Sequence, residues 1–267
     1  METILIFCGL LILGCVVGFL AGLLGIGGGL LTIPFITMLL SQQMPSNDYL
    51  VHMAIGTSAA TIVFTSFSSL RSHYRHGAIF WPVWRGVVPG LILGGLLGAH
   101  IAGLLPMKPL AFIFAAFTAF SATQMLLGAT PKASRQLPGV FGLISAGTVI
   151  GAISALIGAG GGFLSVPYMV WNNVPVRNAI ATSAAMSFPI ALASTLGFII
   201  VGWNVDGRPD HSIGYVYLPA MVAIVVTSMF FAPLGARAAH RWPVVTIRRC
   251  FGFLLYGLSA YMVWKVL

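Results

Sequence analysis

The residues in this chain best suited to hold a ligand are glycines. Gly27, Gly28 and Gly29 stand in a row inside "GLLGIGGGLLTIP" (22–34), and Gly160, Gly161 and Gly162 inside "ALIGAGGGFLSVP" (155–167). Glycine lets an anion approach the backbone closely. A helix start offers orphan N–H donors and about half a positive charge. The second candidate set is two hydroxyl pairs, Thr57 with Ser58 in "AIGTSAA" (54–60) and Thr182 with Ser183 in "AIATSAA" (179–185). These are neutral donors suited to an oxyanion. Both sets also have a plain structural use, since glycines permit close helix packing and hydroxyls bond their own helix.

Other chemistry is scarce. The four acids, Glu2, Asp48, Asp206 and Asp210, fall at the N-terminus or in predicted loops. No carboxylate stands where it could bind a cation or relay protons at mid-membrane, which argues against a metal or sodium carrier built on embedded acids. Most of the six histidines (His52, His73, His76, His100, His211 and His240) lie near loops. His100 aligns with Arg237 across the repeat set out below, as a pair of gates or anchors. Arg85, beside Trp84, reads as snorkelling at an aromatic belt. Cys8, Cys15 and Cys250 sit in apolar segments at spacings that match no metal motif. A dinucleotide-binding G-x-G-x-x-G fails because Leu30 and Phe163 fall at its last position. No catalytic residue, metal site or cofactor is predicted, because the spans hold no nucleophile–base set, metal cluster or paired carboxylate.

The elements that must position these residues are membrane helices. Of 267 residues, 58% are hydrophobic and only 6% charged, against roughly 25% charged in soluble domains. Apolar runs are continuous instead of alternating, which argues against a β-barrel. The start, "METILIFCGL", has no basic region before its apolar run and reads as a retained helix. The predicted fold is an all-α integral membrane protein. Eight long spans are predicted at 4–24, 50–70, 80–104, 108–127, 138–157, 178–202, 213–238 and 246–266. Two short helices, 30–40 and 163–171, each follow a glycine cluster. One reading starts these at Thr32 and Ser165. The preferred one starts them at Gly29 and Gly162, with Pro34 and Pro167 as kinks.

The chain repeats itself. "LLGAHIAGLLP" (96–106) matches "PLGARAAHRWP" (233–243), in the same order as the two matches above. Residues 1–130 and 131–267 are therefore two repeats forming one transporter domain. Loops 71–77, 128–137, 172–177 and 237–249 hold most of the arginines, and loops 41–49 and 203–212 hold three of the acids. The positive-inside rule then puts both termini outside the cytoplasm and gives the repeats opposite orientation. The net charge of +9 is scattered over loops and forms no basic face for nucleic acid.

With its paired glycine clusters and following prolines (Gly25 to Pro34, Gly158 to Pro167), its two "A-I-x-T-S-A-A" stretches and its two "L-G-A-x-x-A" helix ends, the sequence resembles the TauE/SafE family of sulfite exporters and probable membrane transporters. The resemblance covers essentially the whole chain. It implies a multi-pass protein of the bacterial inner membrane that moves small anions, often sulfur oxyanions or organosulfonates. Export of sulfite or a related anion is the expected activity. An anion-permeable channel and a carrier of another small anion, such as a carboxylate, are the alternatives.

Overall fold

The computed structural model describes residues 2–24, 29–43, 48–75, 77–128, 134–239 and 244–267. Gly27 and Gly28 lie outside these. Ten helices follow one another: α1 (Glu2–Leu24), α2 (Gly29–Gln43), α3 (Leu50–Arg75), α4 (Trp81–Leu104), α5 (Met107–Leu127), α6 (Val140–Leu156), α7 (Gly162–Trp171), α8 (Val176–Val201), α9 (Leu218–Ala239) and α10 (Val244–Val266). By length and composition, α3, α4, α5 and α8 are long and apolar enough to cross a membrane. The short helices begin at Gly29 and Gly162, and Pro34 and Pro167 lie inside them.

Two boundaries differ from the sequence reading. Helix α6 has 17 residues, or about 25 Å at 1.5 Å per residue, just short of a 30 Å hydrocarbon core. Ahead of α9, residues expected to be helical form a hairpin instead. Strand β1 (Ser212–Ile213) pairs antiparallel with β2 (Val216–Tyr217). Gly214 opens the two-residue turn at φ +56°, a conformation that costs glycine nothing and other residues a good deal.

Most of the packing joins one half of the chain to the other. Helix α4 lies on α6, α1 on α9, α3 on α8, and α5 on α10. Glycines fix the registers. A Cβ on Gly86, Gly90, Gly94 or Gly98 would meet, in turn, Leu143, Ile144, Thr148 or Ala152. The ascending order means that α4 and α6 run in the same direction. Gly14 and Gly18 likewise abut Ile224 and Ser228, so α1 and α9 run in parallel. Helix α8 runs with α4, since Gly95, Gly197 and Gly103 meet Ala193, Ala99 and Val201. Helix α3 runs against α8: Gly56 meets Phe198, while the Phe67 and Phe188 rings lie 5.7 Å apart. Helices α5 and α10 are also antiparallel, with Gly252 against Leu126 and Ser259 bonded to the Ala115 carbonyl. Backbone-to-backbone contact of this kind is how helices adhere in lipid, where no hydrophobic force drives them together.

Candidate functional site

Helix α6 ends where its sequence tells it to. Gly158 takes the left-handed conformation at φ +55°. Its N–H donates to the Ala155 carbonyl (3.2 Å), and the Ala159 N–H donates to the Ser154 carbonyl (3.0 Å). This is the Schellman stop, which needs a residue free of a Cβ at the left-handed position. Gly161, at φ +77°, then turns the chain into α7. Its carbonyl accepts from the Leu164 and Ser165 N–H groups at 3.1 and 2.9 Å, which closes the first turn.

Several carbonyls freed by this break find hydroxyl donors. The Ser165 Oγ donates to the Gly161 carbonyl at 2.9 Å. The Ser187 Oγ donates to the Gly160 carbonyl. The Ser58 Oγ lies 3.3 Å from the carbonyls of both Gly29 and Gly158. The Ser183 Oγ is 2.7 Å from the Ser165 Oγ. Because Ser165 has already given its proton to Gly161, Ser183 is the donor in that pair.

The N–H groups are treated differently. Those of Gly160, Gly161, Gly162 and Phe163 have no hydrogen-bond partner among the described residues. Gly160 and Gly161 are buried, and Gly162 and Phe163 partly so. Four adjacent donors at the start of a ten-residue helix, with the Gly158, Gly160 and Gly161 carbonyls taken up by serines, make the start of α7 electropositive. Among the described residues, His52 is the only buried His, Lys, Arg, Asp or Glu. It lies elsewhere, with Nε2 at 3.0 Å from the Ala102 and Leu105 carbonyls at the end of α4. No group of three His, Cys, Asp or Glu side chains able to hold a metal is found among the described residues.

The start of α2 meets the break between α6 and α7. A Cβ on Gly29, the first residue of α2, would strike the Gly158 carbonyl and come within 3.3 Å of the Ala159 Cα. Thr57 and Thr182 sit one step away and serve the joint between the halves. Thr57 Oγ1 accepts from the Tyr217 N–H just before α9 (2.9 Å), and Thr182 Oγ1 from the Phe80 N–H just before α4 (2.8 Å). Each threonine thus receives the helix start of the opposite half. His100 and Arg85 are exposed on α4, and the Arg237 side chain lies outside the described residues.

Two features at the break are not visible in the sequence pattern. Ser187 aligns with Ile62, so the repeat does not point to it. Ser154 looks like one more small residue in an apolar helix, yet its Oγ is buried and has no partner.

An all-helical bundle with paired half-length helices broken at glycine defines a multi-pass membrane transporter. The chain belongs to the sulfite exporter TauE/SafE family, whose model matches residues 10–262. It is 35% identical to a probable membrane transporter protein of Haemophilus influenzae, over 99% of this chain and 100% of that one. A probable membrane transporter protein of Xylella fastidiosa is 28% identical over 94% and 93% of the two chains. One from Methanocaldococcus jannaschii is 26% identical over 98% and 97%. No solved structure matches the chain.

Proposed function

We propose that this protein is a secondary transporter that exports a small anion, sulfite or another sulfur oxyanion or organosulfonate, by alternating access across the bacterial inner membrane. The observation that carries the reading is the row of N–H donors at Gly160, Gly161, Gly162 and Phe163, without a partner among the described residues, beside carbonyls already taken by Ser58, Ser165 and Ser187. Unpaired backbone at membrane depth is tolerated only where protein or a wet cavity covers it. Discontinuous helices in transporters aim such donors at anionic substrates. Gly29, Thr57, Ser58, Thr182 and Ser183 frame the gap; Gly27 and Gly28 lie outside the described residues.

The helix directions support an inverted repeat. Helices α1, α3 and α5 run one way and α4 the other. Their counterparts α6, α8, α10 and α9 each run opposite to the helix they copy. The breaks then enter from opposite sides and meet midway. The end where α3 finishes carries Arg71, Arg75, Arg135, Arg177 and Arg249, while Asp48, Asp206 and Asp210 lie at the other. Positive-inside placement makes the first end cytoplasmic.

Energetics favours export without a coupling ion. An inside-negative membrane drives an anion outward by about 2.3 kcal/mol per charge per 100 mV. Labelled sulfite flux in proteoliposomes under imposed potentials tests this. Efflux should follow an inside-negative potential with no sodium or proton gradient. Gly162→Ala should slow it while leaving a folded protein, because the nearest atom to the new methyl is the Ser183 Oγ at 3.6 Å. Uptake that needs sodium, or flux unchanged by Gly162→Ala, would sink the reading. Single-channel currents would replace the carrier by a channel.

A further inference from the structure

We infer that Ser154 is the side-chain ligand of the anion, and that the binding site belongs to the second half alone. The inference rests on the anion reading above and adds to it a hydroxyl donor, a location off the pseudo-symmetry axis and a stoichiometry of one anion per chain.

Ser154 lies in the last turn of α6 and is 1% exposed. Serines and threonines in lipid-facing helices ordinarily return their proton to a carbonyl three or four residues earlier. On the same helix, Ser145 does so to Gly142 at 3.1 Å and Thr148 to Ile144 at 3.0 Å. The Ser154 Oγ makes no such bond, nor any other. A hydroxyl left this way is costly, and an acceptor arriving beside it removes the penalty. The acceptor's place is defined by what surrounds the hydroxyl. A Cβ on Gly161 would lie 3.2 Å from the Ser154 Oγ, so the hydroxyl stands beside a residue whose own N–H, with its neighbours, has no partner among the described residues. Backbone donors on one side and a hydroxyl on the other suit a ligand with at least two acceptor oxygens and a negative charge.

The first half lacks the two serines. In the register that matches 155–167 to 22–34, Ser154 corresponds to Ala21. Ser187, which takes up the Gly160 carbonyl, corresponds to Ile62. These two hydroxyls of the second break are therefore absent from the matching positions of the first half. The first half closes over the site through Gly29 and Ser58 without duplicating it.

The test is sulfite binding to the full chain in nanodiscs by calorimetry, with Ser154→Ala, Ser194→Ala and Gly162→Ala compared. Ser194 is the control: its Oγ is also buried and unpartnered, but it stands apart from the break. Loss of one hydrogen bond to a charged group predicts binding about tenfold to a hundredfold weaker in Ser154→Ala. Its thermal midpoint without sulfite should be unchanged or higher. Ser194→Ala should bind as the parent does, with one sulfite per chain. Parent-like binding by Ser154→Ala alongside weakened Gly162→Ala overturns the role of Ser154 and leaves the glycine site standing. Two sulfites per chain overturn the one-sided site. A lowered midpoint in Ser154→Ala makes the residue structural and overturns the inference. A parent protein that takes up no sulfite, thiosulfate or sulfonate overturns the anion reading and this inference together.

Discussion

The starts of α4 and α9 are held alike, yet the connectors leading into them share nothing. Before α4, residues 77–80 make a short turn, with Ile79 buried and the Phe80 N–H on Thr182. Before α9, residues 202–217 form a long excursion ending in the β1–β2 hairpin, with the Tyr217 N–H on Thr57. That excursion carries Tyr215, 1% exposed, into a nest of Tyr49, His52 and Phe198. Its backbone rests on Gly56, where a Cβ would come within 2.8 Å of the Tyr215 carbonyl. The difference separates what the two joints share from what one of them adds. The cross-half hydrogen bond is kept at both joints, and the plug is a specialisation of the acidic end.

The comparison can be broken at several levels of effect. Largest are the glycine seams. Gly90→Leu pushes a side chain into the Ile144 backbone and Gly18→Leu into that of Ser228. Each should cost more than about 3 kcal/mol and abolish monodisperse protein on size exclusion. Gly257→Leu, with nothing near it, should purify normally. If only one seam variant fails, the halves are not equivalent in packing. Next is the plug. Tyr215→Ala should cost about 3–5 kcal/mol, read as a drop in thermal midpoint, and exceed Ile79→Ala in the short connector. Equal losses would deny the hairpin its special place.

The threonine joints come third. Thr57→Val and Thr182→Val each strand a buried N–H, at about 1–3 kcal/mol. Matched midpoints are expected, and a gap between them would show that one joint bears more than the other. The smallest effect is confined to alkaline pH. Burial, reinforced by Tyr49 and opposed by Arg208, pushes the Tyr215 hydroxyl from 10 up to about 12. The unfolded chain ionises first, so this contribution to stability is intact below pH 10 and is lost as pH rises from 10 towards 12. Midpoints measured across that window should fall less steeply in Tyr215→Phe. An identical slope would show that Tyr215 is not the group responsible.

Much of this was legible beforehand, for physical reasons. Continuous apolar runs and glycine punctuation are local signals, so all ten helices and the starts at Gly29 and Gly162 lie near where the sequence puts them. The hairpin was missed because apolar Ile213, Tyr215, Val216 and Tyr217 run straight into α9. The Gly214 turn was the available clue. The partners of the hydroxyls could not be read at all. Which carbonyl Ser187 meets, and that Ser154 meets none, depends on how separate helices pack, which no local pattern records. The same holds for Thr57 and Thr182, whose acceptor role depends on chain more than 100 residues away; the bonds join 57 to 217 and 80 to 182.

Those long-range joints bear on how the protein is made. Each half packs partly on itself, but its main seams are with the other half. Helix α1 finds its seam only on α9, and the Phe80 N–H finds its acceptor only on α8. A ribosome adds about 5–20 residues per second, so α1 emerges roughly ten to forty seconds before Ile224 does. Through that interval the glycine face of α1 stands bare. The first half must be held by the insertion machinery or by lipid until the second arrives, and the final bundle closes as a single late event.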